Sequence, residues 1–76
     1  MLHWLHVLRE DRGLTRTELA GEIGSYRDYI SRLENQEAVK DPEVILRIAR
    51  ALDVPASALT ANAITLHRDG RVEVAK

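Results

Sequence analysis

The chain contains no cysteine, so it carries neither a disulfide framework nor a thiolate metal site. It has no long apolar run, and therefore no segment suited to span a membrane as a helix. Its opening, M-L-H-W-L-H-V-L-R-E, is apolar but short, lacks a basic stretch and runs straight into charged residues. That opening is expected to be a first helix rather than a signal segment, and the protein is expected to be cytoplasmic. There is no glycine-rich phosphate loop, no cysteine nucleophile and no Ser-His-acid set in a recognisable context, so an enzyme is not expected. No cofactor is called for. Internal repeats and low-complexity segments are missing as well. Net charge is also nearly absent: 11 Lys and Arg stand against 12 Asp and Glu, giving −1 at pH 7. Any role in binding a polyanion must then rest on how charge is distributed rather than on its sum.

What is present is enough for one small core: 76 residues, of which 45% are hydrophobic. No separate effector domain is expected in this length. The informative stretch runs from Leu14 to Glu34, L-T-R-T-E-L-A-G-E-I-G-S-Y-R-D-Y-I-S-R-L-E. Thr15 and Glu18 have the spacing of a capping box, and Leu14 and Leu19 that of a hydrophobic staple, so a helix is predicted to begin at Thr15. Leu19, Ala20 and Ile23 recur at helical spacing. Gly24 supplies a turn through positive φ. A second helix follows with Ile30 and Leu33 inward and Arg27, Asp28, Ser31 and Arg32 outward. Two short helices around a tight glycine turn form a helix-turn-helix candidate, and the small Ala20 lets the pair cross closely.

The flanks read in the same terms. A first helix is expected from about Leu2 to Arg12, with Leu5 and Leu8 as its core pair and Gly13 in the left-handed position that ends it. Trp4 is a core residue or an interface anchor. Asp41 and Pro42 look like the N-cap and first residue of a fourth helix. That helix runs to about Leu52, with Val44, Ile45, Ile48, Ala49 and Leu52 on its apolar face, and Glu43 and Arg47 form an i,i+4 pair. Asp53 takes the helix-ending position where glycine is commoner. Pro55 opens a short fifth helix through Leu59. The tail I-T-L-H-R-D-G-R-V-E-V reads as a β-hairpin with a three-residue loop, Arg68-Asp69-Gly70, and Gly70 left-handed. That register puts Ile64, Leu66, Val72 and Val74 on one face. An isolated hairpin is marginal in water, so this face must pack on the chain's own helices or on a second chain. The one boundary lies around Thr60 to Ala63, dividing residues 1–60 from a tail of residues 61–76.

The run from Leu5 to Leu59 resembles the lambda-repressor-like DNA-binding domain shared by phage repressors, Cro proteins and many small bacterial regulators (the Cro/C1 or XRE type). The pieces that carry the resemblance are L-R-E-D-R-G-L-T, E-L-A, Y-I-S-R-L-E-N and I-A-R-A-L-D-V-P. It implies an all-α, five-helix helix-turn-helix domain, here with a short C-terminal hairpin added. Two local departures stand out: Tyr26 occupies a position where the family usually has Ser or Thr, and Gln36 one where it usually has Gly.

By the same resemblance, Arg27, Asp28 and Arg32 fall where base contacts are made. Arginine can pair bidentately with guanine and aspartate can accept from cytosine, each worth about 1–3 kcal/mol of discrimination. Tyr26 is placed beside them as a further base contact and Tyr29 as a phosphate contact. Arg16 stands where the family commonly has a phosphate-binding Gln, and Asn35, Gln36 and Lys40 are further phosphate candidates. Arg9 and Glu34 match a family ion pair that ties helix 1 to the end of helix 3. The bland alternative for the helix 3 face is a solvated surface in which Asp28 and Arg32 form an ion pair of small value. His3 and His6 are three apart on one helix, but no further ligands are obvious and no metal site is expected.

The function implied is a transcriptional regulator, most simply a repressor, binding double-stranded DNA as a homodimer on a pseudo-palindromic operator. Ile64, Leu66, Val72 and Val74 are the expected dimerisation residues, since some family members dimerise through C-terminal strands. The alternative is a protein-interaction module with a protein partner, such as an antitoxin or a regulator's antagonist, which the acidic balance favours.

Overall fold

The computed structural model describes residues 2–35, 37–39 and 41–75. Five helices run in order: α1 (Leu5–Asp11), α2 (Arg16–Glu22), α3 (Arg27–Glu34), α4 (Pro42–Leu52) and α5 (Ala56–Thr60). A two-stranded antiparallel sheet follows, β1 (Ile64–Leu66) and β2 (Val72–Val74).

Local chemistry sets most of the boundaries. At the start of α2 both halves of the capping box form: Thr15 Oγ1 accepts from the Glu18 backbone N–H at 3.1 Å, and the Glu18 carboxylate accepts from the Thr15 N–H at 2.9 Å. The Thr15 backbone N–H and side chain hold the Glu18 carboxyl below its ordinary range, against a small opposing effect of burial. Asp41 caps α4 by accepting from the Glu43 N–H at 3.0 Å, with Pro42 at the first helical position, where its missing N–H costs nothing.

Three helices end in the same way. Gly13, Gly24 and Asp53 have φ of 72°, 71° and 55°. The next residue in each case bonds back to a helix carbonyl: Leu14 to Arg9, Ser25 to Ala20 and Val54 to Ala49. This is the Schellman pattern, which satisfies carbonyls that the helix itself leaves free.

α1 begins later than its apolar pattern implies. The helix opens at Leu5, and Trp4 precedes it without a side-chain cap. Leu2 is nevertheless fully buried, reaching the core from non-helical backbone. Trp4 packs on the core while its indole N–H donates to the Ala61 carbonyl at 2.7 Å. Burial of Leu2 therefore does not require a helix there, which is why the apolar spacing overstates the helix.

The core is built where the periodicity places it. Leu5 and Leu8 of α1, Leu19 and Ala20 of α2, Ile30 and Leu33 of α3, Ile48 and Leu52 of α4 and Leu59 of α5 are all buried. Ala20 and Ile23 belong to the same buried cluster, and Val44 and Ile45 pack against it.

The hairpin register pairs Ile64 with Val74, Thr65 with Glu73 and Leu66 with Val72. His67 N–H donates to the Arg71 carbonyl at 2.9 Å, closing the three-residue loop, and Gly70 sits at φ 91°. The Arg71 backbone N–H and guanidinium donate to Asp69 and hold its carboxyl below the ordinary range. Ile64, Val72 and Val74 turn onto the chain's own core, while Leu66 stays more exposed. Arg12 fastens this arrangement. Its Nε donates to the Leu52 carbonyl at 2.7 Å and its Nη2 to the Gly70 carbonyl at 2.8 Å, joining α1, the end of α4 and the hairpin loop.

Asp53 is exposed, left-handed, and places a carboxylate at the carbonyl end of α4. Both features are unfavourable for a side chain other than glycine's. Asp53→Gly is expected to stabilise the fold by up to about 1 kcal/mol, raising the melting temperature by about 4–8 °C per kcal/mol gained. A thermal melt that is unchanged or lower would contradict this account of the α4 terminus.

Candidate nucleic-acid interface

The α2–turn–α3 unit presents the candidate surface. The backbone of Tyr26 is extended and its side chain makes no capping bond, so the Ser or Thr cap usual in the family is not replaced. Arg27 and Asp28 are exposed on the first turn of α3, and the Tyr26 side chain beside them is 63% exposed. Tyr29 is partly buried. Its ring tilts against that of Tyr26, with centroids 6.4 Å apart, and the Arg32 guanidinium lies 5.6 Å from its centre. Such a cation–π contact orients an arginine while leaving its donors available. Arg32 pairs loosely with Glu37 at 3.6 Å rather than with Asp28, and both partners are about half exposed. Pairs of this kind contribute little, so the outer face of α3 is not closed off by its own ions.

The other end of α3 is held rigidly. The Glu34 side chain is 3% exposed and gathers partners from two other helices. Arg9 donates to it through Nε at 2.7 Å and through Nη2 at 3.3 Å, making a bidentate pair. Arg16 Nε donates at 3.2 Å from the start of α2, and His6 Nδ1 lies 2.9 Å away. Arg9 also donates through Nη1 to the Leu14 carbonyl at 2.7 Å, which fixes the α1–α2 loop. Burial works against ionisation of Glu34. The hydrogen bonds from Arg9 and His6, the charge of Arg9 and the bond from Arg16 outweigh it and hold the carboxyl below its ordinary range.

Two depressions flank α3. One, of about 260 Å³, is lined by Arg9, Thr15, Arg16, Thr17 and Arg27, between the starts of α2 and α3. The other, of about 310 Å³, lies between α3 and α4, and Tyr26, Tyr29, Arg32 and Arg47 contribute to it. No carboxylate lines either one among the described residues. Four exposed or half-exposed arginines therefore border α3 despite the negative sum of charge.

The residues anticipated for this surface fall into distinct groups. Arg27, Asp28, Tyr26, Tyr29 and Arg32 lie together along α3. Arg16 adjoins Arg27 across the first depression, with its Nε engaged by Glu34 and its side chain 36% exposed. Asn35 is exposed immediately after α3. Gln36 and Lys40 lie outside the described residues. Ile64, Leu66, Val72 and Val74 are remote from α3 in sequence, on the hairpin. Sequence reasoning did not anticipate the bond from Arg16 to Glu34, the part of His6 in that cluster, or the position of Arg47 beside Arg32. The i,i+3 spacing of His6 and Arg9 was the one visible signal for His6.

The family model described as helix-turn-helix matches residues 5–59. The chain belongs to the Cro/C1-type helix-turn-helix family. A protein of Pyrococcus horikoshii, provisionally named an HTH-type transcriptional regulatory protein, is 43% identical over 51 residues. The match covers 67% of this chain but only 16% of that relative. This helix-turn-helix chain thus corresponds to a small part of a much longer protein there. Among the described residues, no helix is long and apolar enough to cross a membrane.

The Glu34 cluster carries a pH prediction. The carboxyl has a lower pKa folded than unfolded, so its contribution to stability is fully present above the ordinary value of 4.5 and is lost as pH falls through the folded value. Glu34→Gln is expected to lower stability at pH 7, with about 3–5 kcal/mol as the scale for breaking a buried pair. In urea titrations the gap between wild type and variant should narrow below about pH 4. A gap independent of pH would show that the ionised carboxylate contributes nothing specific.

Proposed function

We propose that this chain is a DNA-binding transcriptional regulator that recognises its site through α3 in the major groove. The observation that carries this reading is the exposed row of Arg27, Asp28 and Arg32 along a helix whose far end is clamped by the buried Arg9–Glu34 pair. An α-helix fits the major groove, and side chains of this kind distinguish base pairs by their hydrogen-bonding edges. Its anchoring reduces the orientational freedom that binding would otherwise have to remove. The name of the P. horikoshii relative supports the same role. The work of the chain in this reading is binding rather than catalysis, and its place is the cytoplasm, with the DNA.

In this reading Arg27 and Arg32 pair with guanines, Asp28 accepts from cytosine, and Tyr26 supplies a base contact. Arg16, Tyr29 and Asn35 meet the backbone, with Gln36 and Lys40 as further phosphate contacts. Residues 1–60 carry the DNA contacts, and the tail of residues 61–76 is the dimerisation element. Because Ile64, Val72 and Val74 pack on the helices, a second copy would meet the more exposed Leu66 and the outer strand edges. Two copies would place their α3 helices in successive major grooves of a pseudo-palindrome, with half-sites about one helical turn apart. Occupancy that blocks polymerase makes the chain a repressor.

The test is selection of bound duplexes from a random pool at low salt, with Arg27→Ala and Arg32→Ala as controls. The intact chain should enrich a two-fold symmetric motif. Each variant should lose preference at particular positions, by about 1–3 kcal/mol per bidentate contact. No enrichment by the intact chain would contradict the proposal.

A further inference from the structure

We infer that the DNA interface extends from α3 onto α4, where Arg47 takes a backbone phosphate across the depression it shares with Arg32. This rests on the DNA-binding reading above and adds a contact residue that lies outside the helix-turn-helix itself.

Hydroxyl groups and positive charge meet in the lining of that depression. Ser25, Tyr26 and Tyr29 bring hydroxyl groups to it, and Arg32 and Arg47 bring positive charge. No carboxylate is in the lining among the described residues. The acidic partners of the two arginines, Glu37 for Arg32 and Glu43 for Arg47, stand outside it in weak exposed pairs, which leaves Arg47 available to an anion while Arg32 reads a base. The neighbouring hollow differs: there Arg47 and Arg50 are opposed by Glu22. The α3–α4 depression therefore has a charge character that the fold does not impose on α4 as a whole.

The resting contact of Arg47 is weak. It lies 3.6 Å from Glu43, one turn earlier on the helix, and the two side chains are 56% and 65% exposed. An exposed i,i+4 pair of this kind contributes little. A DNA phosphate can displace Glu43 at small cost, and arginine binds phosphate with a charge-assisted, bidentate geometry.

The two flanks of α3 then have matching chemistry. Arg16 and Arg27 with two threonines border one side, and Arg32 and Arg47 with two tyrosines and a serine border the other. A helix lying in a major groove about 12 Å wide has a phosphate backbone along each wall. One acid-free depression faces each wall. Arg47 thereby sets how α3 is seated rather than which bases it reads.

The experiment compares the affinity of the intact chain, Arg47→Ala, Arg47→Lys and Arg71→Ala for the selected duplex over a range of salt. Arg71 is the charge control, since it lies on the hairpin and pairs with Asp69. Arg47→Ala should reduce the slope of log affinity against log salt by about 1, weakening all sequences alike and leaving the preferred motif unchanged. Arg47→Lys should retain most of the slope, and Arg71→Ala should retain it in full. An unchanged slope in Arg47→Ala, while Arg27→Ala loses its base preference, would overturn the inference and leave the DNA reading intact. An equal fall in Arg71→Ala would overturn it in favour of bulk charge. Failure of the intact chain to bind any duplex would overturn both.

Discussion

A single buried carboxylate organises the surface that matters here. Glu34 ends α3, and its partners Arg9, His6 and Arg16 come from α1 and from the start of α2. The apolar core determines that these helices pack, but apolar contacts tolerate small rotations. A bidentate pair with a guanidinium does not, because its two hydrogen bonds are directional. Arg9 is itself only 7% exposed, so neither charge can turn to water if the pair breaks. The orientation of α3 relative to α1 and α2 is thus set by hydrogen-bond geometry added to the hydrophobic core. Arg16 belongs both to this cluster and to the depression it shares with Arg27, which couples the anchor of α3 to one of its flanks.

The distribution of charge resolves the tension raised by its sum. Glu34 is consumed internally by Arg9, and Glu18 by the capping box of α2. Asp41 is committed to the start of α4. These acids perform structural tasks, whereas Arg27 is exposed, Arg32 and Arg47 are held by weak pairs, and Arg16 is shared between Glu34 and the surface. A chain of net charge −1 can therefore offer a basic local surface.

Much of the fold was legible in the sequence because its signals are short-range. The capping box at Thr15 and Glu18, the left-handed stops at Gly13, Gly24 and Asp53, the Asp41–Pro42 start and the hairpin register all depend on residues within a few positions of one another. The start of α1 is not legible locally, because Leu2 and Trp4 are satisfied by tertiary packing, the latter by the Ala61 carbonyl 57 residues away. The arginine staple at Arg12 was invisible for the same reason: its acceptors, Leu52 and Gly70, carry no side-chain signature. At the candidate site, the outward placement of Arg27, Asp28 and Arg32 follows from helical spacing, and their role from the family resemblance. The grouping of Arg47 with Arg32 could emerge only once α4 was packed beside α3.

The role of α3 and its flanks is tested by following the backbone amide signals of the isotope-labelled chain as the selected duplex is added. The largest shifts are expected at Thr15 to Thr17, along Tyr26 to Asn35 and around Arg47, with the hairpin strands little affected by DNA itself. Shifts confined to the hairpin, or spread evenly over the surface with no preference for α3 and its flanks, would contradict that role.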